Sequence, residues 1–314
     1  MRCLLYLNIS ASKRIICDSG LIQTIQMIEQ ILQRSKEYHF YLAVPDFIPA
    51  KDFQAMVTLY PILGTVNVSI VYYPISHIRR IIPYEFNFKH LLKCVDFWKT
   101  DYDMVFNCLP EYTNNLSQLL CRSKDLGWGH TEAIFVNRWH WLMATGYVPI
   151  PDSRIEFRQV EGMLFGDYNL SLCDYTEKMV EDMSSRYLNQ ASIDKIKAST
   201  VKLYNGIDLD KILKNNTPRP KNTGKYKILF PNRLQGFKNP MFLFDCLFKL
   251  RERRQDFELI LTDPTNDYTQ NNVLKNKKLI ETVNNTDWIK VQQVSGDDYY
   301  NLIYESDLII NTSD

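Results

Sequence analysis

The 314-residue chain has no apolar run of membrane-spanning length, and its first residues, MRCLLYLNIS, hold too short an apolar stretch for a signal peptide. Its seven cysteines (Cys3, Cys17, Cys94, Cys108, Cys121, Cys173, Cys246) are scattered, odd in number and without a C-x-x-C pair. Zinc and dithiol chemistry therefore lack support, and a reducing, cytoplasmic setting is expected. Cys94, Cys108, Cys173 and Cys246 lie in apolar runs, where a thiol is expected to act as a small buried hydrophobe. Net charge is close to absent at +1, so no whole-molecule attraction to nucleic acid or an anionic membrane operates. No G-x-S-x-G, Walker-type loop or H-E-x-x-H occurs, so hydrolase and ATPase readings have no motif. No internal repeat or low-complexity segment breaks the chain.

What is present is an alternation. Short apolar runs without helical period read as buried parallel strands: Leu4–Ile9, His39–Val44, Val66–Tyr73, Met104–Asn107, Ala133–Val136, Tyr168–Cys173 and Val201–Tyr204. Between them lie helical patterns near 21–35, 51–60, 88–98, 114–122, 154–164 and 177–188. The first is entered through Asp18-Ser19-Gly20 and striped by Ile22, Ile25, Ile28 and Leu32. Strands at Ile228–Phe230, Glu258–Leu261, Trp288–Val291 and Leu308–Ile310 alternate with helical segments near 240–253, 273–283 and 298–305. This rhythm predicts an α/β protein with parallel sheets and right-handed crossovers.

The stretch from Val201 to Leu250 marks a seam. A strand ends in Asn205-Gly206, a polar break carries Pro218, Pro220, Asn222 and Gly224, and a new strand feeds a turn with Arg233 and Lys238 ahead of a helix. The expected organisation is a domain over 1–210, a linker over 211–224 and a second domain over 225–314. Two cations in a turn before a helix N-terminus suit a bound diphosphate; otherwise they are ordinary surface charges.

Three segments resemble retaining, nucleotide-sugar-dependent glycosyltransferases of GT-B fold. ILFPNRLQGFKNP resembles the family's strand, G-R-L and K-G segment, YNGID its x-N-G-V/I-D motif, and VSGDDYYNLIYESDLIINTSD its segment running to a P-S pair. The matches cover roughly the last third of the chain; the first two hundred residues match only in strand–helix rhythm. The resemblance implies two doubly wound Rossmann-like domains, the second incomplete, and a metal-independent transfer of a sugar, with retention, from a nucleoside diphosphate donor to an acceptor hydroxyl. It implies no cofactor beyond that co-substrate, and that donor and acceptor meet between the domains. It assigns the donor diphosphate to Arg233 and Lys238 and places Val291 and Gln292 close to the base. FVNRWHWLM places Arg138 and His140 just after the strand Ala133–Val136. His140 matches the family's histidine near the sugar hydroxyls; packing between Trp139 and Trp141 is the alternative. Gly20 matches the glycine-rich loop where a backbone N–H meets phosphate or acceptor; plain helix entry is the alternative.

Departures accompany the resemblance. The glycines expected before the arginine and after the lysine are Asn232 and Asn239. The E-x7-E motif that holds sugar and ribose in the family would begin where the sequence stops, at Ser313-Asp314. The expectation is a shortened enzyme, an enzyme completed by a partner chain, or a non-catalytic binding or scaffold protein derived from one. Its acceptor is open among a glycan, a lipid-linked acceptor and a modified nucleic-acid base. The D-x-D spellings at Asp101–Asp103 and Asp208–Asp210 flank strands rather than end buried ones, so they are read as connectors and not as a metal site.

Overall fold

The structure, a computed structural model, describes residues 1–6, 19–45, 50–73, 100–125, 133–139, 142, 153–204, 224–232, 238–262, 281–292, 294 and 297–312. The chain divides into two compact units, Met1–Gly206 and Ile207–Asp314.

The first unit holds strands β1 (Arg2–Tyr6), β2 (His39–Pro45), β3 (Val68–Tyr73), β4 (Met104–Asn107), β5 (Ile134–Arg138), β6 (Tyr168–Ser171) and β7 (Thr200–Lys202). They form one parallel sheet in the order β3-β2-β1-β4-β5-β6-β7. Helices α1 (Ser19–Arg34), α2 (Ala50–Leu59), α3 (Thr113–Asp125), α4 (Ser153–Phe165), α5 (Asp174–Ser184) and α6 (Gln190–Ala198) cross between strands. Side chains alternate across the sheet, and both faces are covered. Cys3 and Leu5 join one core with Leu21, Ile25, Ile28 and Leu32 of α1. Leu4 and Tyr6 join another with Leu116 and Leu120 of α3. That two-sided burial is why β1 reads CLLY rather than as an alternating pattern. On α1 the innermost stripe starts at Leu21 instead of Ile22, which is half-buried. Truncating a fully buried member such as Ile25 to alanine costs about 2–5 kcal/mol.

The second unit holds β8 (Tyr226–Phe230), β9 (Phe257–Leu261), β10 (Ile289–Val291) and β11 (Leu308–Ile309), parallel and ordered β10-β9-β8-β11. Helix α7 (Pro240–Arg251) sets Leu243, Phe244 and Leu247 against Ile228, Phe230 and Leu259. Helix α8 (Asp297–Glu305) sets Leu302 against Leu229 and Ile260. Each unit is thus doubly wound.

Some expected boundaries move. Helix α6 was not expected; Asn189 caps it by accepting from the Ser192 N–H at 2.9 Å. Strand β5 runs on to Arg138, so that residue belongs to the sheet and does not follow it. Cys108 is buried as expected, but Cys246 is exposed on α7, because the sheet-facing positions there are Leu243, Phe244 and Leu247. The helices expected near 88–98 and over most of 273–283, and the break at 211–223, lie outside the described residues. No helix among the described residues is long and apolar enough to cross a membrane.

Candidate functional site

In the second unit the chain runs outward from β8 to β9 and β10, then returns to β11 on the other side of β8. The switch point therefore lies at the carboxyl ends of β8 and β11, where open α/β sheets bind ligands. Two exits meet there. After β8 comes Asn232, and after β11 come Asn311 and Thr312. The Asn232 side chain donates from Nδ2 to Asn311 Oδ1 at 3.2 Å. The Thr312 hydroxyl donates to the Lys238 carbonyl at 2.5 Å and lies 3.3 Å from that of Asn239.

Lys238 is half-buried and immediately precedes the N-cap of α7. That N-cap, Asn239, is left-handed at φ 44° and ψ 50°, and its own side chain makes no capping hydrogen bond. Asparagine tolerates this region better than most residues, so it takes the backbone role of the glycine expected after the lysine. Pro240 at the first helical position has no N–H to lose. A helix N-terminus beside a lysine, at a switch point, has the polarity an anion requires.

Val291 ends β10 exposed, and the Gln292 N–H donates to the Leu261 carbonyl at 2.9 Å. Both lie at the carboxyl edge of the sheet that carries Lys238, but beyond β9 rather than at the switch point. Arg233 lies outside the described residues.

The first unit has its own switch point between β1 and β4. Gly20 is the second residue of α1, the helix that follows β1. His140 lies outside the described residues; its neighbour Trp139 is buried against Leu142, Val160 and Met163. Arg138, at the end of β5 and 6% exposed, donates from Nη2 to Gln23 Oε1 of α1 at 2.9 Å. Just after β4, Glu111 is buried in a 3-10 turn (Pro110–Tyr112) against α4. Its Oε2 accepts from Gln159 Nε2 at 3.2 Å, and burial pushes its carboxyl up to about 7.

Around these residues runs a polar relay through the core. Asn107, Asn137 and Asn169 stand in register on β4, β5 and β6. Asn107 Nδ2 donates to the Leu109 carbonyl and Thr113 Oγ1, and Thr113 Oγ1 donates to Asn137 Oδ1. Asn137 Nδ2 donates to the Gly162 carbonyl and Asn169 Oδ1. Asn169 Nδ2 donates to the Met163 carbonyl and Ser199 Oγ. All three amides thus use both hydrogens, which is what makes their burial tolerable.

At the opposite edge of the sheet, Asp103 accepts the Arg2 N–H at 2.6 Å and Asp101 accepts from Arg2 Nη2 at 3.0 Å. These carboxylates serve a protein cation, as a connector reading expects. Among the described residues no three His, Cys, Asp or Glu side chains gather as cation ligands.

No family model and no curated protein sequence matches the chain. Solved structures do. HepE (Alr3699) of Anabaena, in complex with UDP and glucose, matches with TM-score 0.65 over 100% of this chain and 74% of that chain, at 12% identity. The N-terminal domain of Candida albicans trehalose-6-phosphate phosphatase matches with TM-score 0.61 over 99% and 76%, at 17% identity. An E. coli trehalose-6-phosphate protein bound with UDP-2-fluoro glucose matches with TM-score 0.57 over 100% and 78%, at 11% identity. The fold is GT-B. At identities this low the structural overlap shows the fold alone and leaves the chemistry to the site itself.

Sequence reading missed Asn311, Thr312 and Glu111. The first two directly precede the serine of the P-S-like segment, and only the strand order shows that they face the exit of β8. Glu111 carries no motif; burial alone distinguishes it.

Proposed function

We propose that the chain transfers a sugar from a nucleoside diphosphate donor to an acceptor hydroxyl, with retention and without a metal. The observation that carries this reading is Lys238 beside the N-terminus of α7 at the β8/β11 switch point. In the reaction the bond between the anomeric carbon and the terminal phosphate oxygen breaks, and charge grows on the departing diphosphate while the sugar becomes oxocarbenium-like. Lys238 and Arg233 neutralise that charge, and the helix N–H groups add to it. His140 hydrogen-bonds a sugar hydroxyl, Val291 and Gln292 lie near the base, and Gly20 lets backbone approach phosphate or acceptor. HepE and the E. coli protein were solved with UDP or UDP-sugars, which favours a uridine donor here. The acceptor class stays open among glycan, lipid-linked acceptor and modified base.

Calorimetric titration of the full chain with UDP-glucose and a GDP-sugar, with and without EDTA, tests this. Arg233→Ala and Lys238→Ala are each expected to weaken donor binding about tenfold or more, the value of a charge-assisted hydrogen bond. Unchanged binding in both would remove these residues from the donor site. Loss of activity on EDTA treatment would overturn metal independence.

A further inference from the structure

We propose that the outward side of α7 is a self-association surface, which pairs antiparallel, across a twofold axis at Cys246, with the same helix of a second copy of this chain. Helix α7 reads PMFLFDCLFKLR and is apolar nearly all round, as a helix covered on every side would be. Only part of it is covered. Leu243, Phe244 and Leu247 face the sheet. Phe248 and Arg251 lean to the β10 side, where the Phe248 ring meets that of Trp288 edge-on at 5.3 Å and the Arg251 guanidinium lies 5.6 Å from it. The opposite flank, toward β8 and β11, carries Phe242, Cys246 and Leu250, one residue per turn. All three are exposed, Phe242 by 57%. On β11, Leu308 is in register with Ile228, so it points to the α7 side of the sheet, and it too is exposed. The row on α7 and Leu308 thus form one apolar surface.

The helix itself names the occupant. Phe242 and Leu250 stand four residues on either side of Cys246, so a twofold there sets Phe242 of each copy against Leu250 of the other. The smallest member of the row lies at the axis, where two helices approach closest. Asp245 and Lys249 form the neighbouring row, both exposed, and among the described residues neither has an ion-pair partner. Helical side chains lean toward the N-terminus of their own helix. In an antiparallel pair the leans of Asp245 and of Lys249 in the other copy are opposed, and they close the axial gap between the two groups. The same lean draws the two copies' Asp245 apart. Symmetry makes the attractive contact twice, whereas a parallel pair in register would set carboxylate against carboxylate. Opposite signs one turn apart, beside an apolar row centred on a small residue, therefore fit this helix run backwards. The net charge of +1 leaves two copies free to approach without overall repulsion.

Sedimentation equilibrium of the full chain between about 5 and 200 micromolar is expected to show a reversible dimer. Asp245→Lys and Lys249→Asp each turn both attractive pairs into repulsive ones, and each is expected to weaken the dimer about tenfold or more. The variant carrying both changes restores pairs of opposite sign and is expected to associate within about threefold of wild type. Both positions are exposed, so all three variants are expected to melt like wild type. A short bismaleimide, which adds to one thiol of each copy, is expected to give a covalent dimer that Cys246→Ser diminishes. A chain that stays monomeric over that range overturns the proposal. So does a dimer that the single reversals leave unchanged, or one that the double variant fails to restore. Absence of a cross-link through Cys246 in a dimer places the axis elsewhere and overturns it as well.

Discussion

Replacing Glu111 by glutamine is expected to remove a pH-dependent loss of stability from the first unit. The residue is 3% exposed; Oε2 accepts from Gln159, and Oε1 has no hydrogen-bond partner among the described residues. Burial is the main cause that lifts its carboxyl from 4.5 to about 7; backbone and Gln159 hydrogen bonds and the Arg158 charge oppose it more weakly. Between those values the folded chain holds a proton that the unfolded chain has released. The stability this proton confers is therefore full below pH 4.5, falls as pH rises, and is gone above about 7. The span corresponds to about 3 kcal/mol. Glutamine keeps the shape and an oxygen for Gln159 but cannot ionise, and the cost of its unpartnered amide is the same at every pH. Urea unfolding at about pH 5 and about pH 8 reads the difference. Tryptophan fluorescence suits the measurement, since Trp98, Trp128, Trp139 and Trp141 belong to the first unit and only Trp288 to the second. The advantage of Glu111→Gln over wild type is expected to grow by about 2.5 kcal/mol across that interval, since part of the span is already lost at pH 5. An advantage that does not change with pH would refute a buried, proton-holding Glu111.

Other perturbations follow from the same packing. Gly162→Ala would drive a Cβ into the Pro110 carbonyl, backbone against backbone, so the variant is expected to lose more than about 3 kcal/mol or not accumulate as folded protein; soluble yield and thermal melting check it. Asn137→Leu removes the acceptor of the Thr113 hydroxyl and the donor to Asn169 Oδ1, and leaves the Gly162 carbonyl with the Gly166 N–H alone; it is expected to cost about 3 kcal/mol in urea unfolding. Asn239→Gly is expected to be neutral or stabilising while Asn239→Val costs about 1–2 kcal/mol, because φ 44° suits glycine and excludes a β-branched residue; the same melts compare them. Cys173 is half-exposed with its thiol lowered by the Thr176 hydroxyl, whereas Cys3 is buried and pushed up to about 11. Site-resolved alkylation of native protein at about pH 8 is expected to label Cys173 long before Cys3.

The strand–helix rhythm was legible because both faces of each sheet are covered. CLLY in β1 and LIL in β9 are unbroken apolar runs, and α1 repeats Leu21, Ile25, Ile28 and Leu32 at helical spacing. Helix α6 was overlooked although Asn189 and Ser192 spell its N-cap, since only Ile193 and Ile196 are buried and its apolar stripe is short. Arg138 looked like a loop residue because a guanidinium in a buried strand makes sense only with Gln23 opposite, and Gln23 is 115 positions away. The relay of Asn107, Asn137 and Asn169 was invisible for a related reason. Each asparagine sits in a run that reads as ordinary strand, and only the register of three adjacent strands brings them together. Of the candidate site, the motif residues could be named in advance. Their supports could not, because Thr312 reaches Lys238 across 74 positions.

The two switch points are supported by different means, and the difference bears on which can move. In the first unit the relay ends on the Gly162 and Met163 carbonyls, in the last turn of α4, where helices leave carbonyls without intrahelical partners. The Gly162 carbonyl also accepts from the Gly166 N–H, and a side chain at Gly166 would strike Asn137. Sheet, helix end and turn are thereby locked by buried bonds that water cannot replace, so opening any of them exposes the rest. In the second unit the bonds between Asn232 and Asn311 and between Thr312 and Lys238 are few and lie at or near the surface. Each is individually replaceable by water at little cost. The first unit is therefore expected to present a fixed surface. In the second, Asn232 and Lys238 can release and recover these bonds without disturbing the core of Phe230, Leu243 and Leu259. A diphosphate that bridges Lys238 and the α7 N-terminus would add to those bonds rather than work against them. On that argument hydrogen exchange at residues 238–243 is expected to slow when UDP is added, while exchange in β4, β5 and β6 stays unchanged.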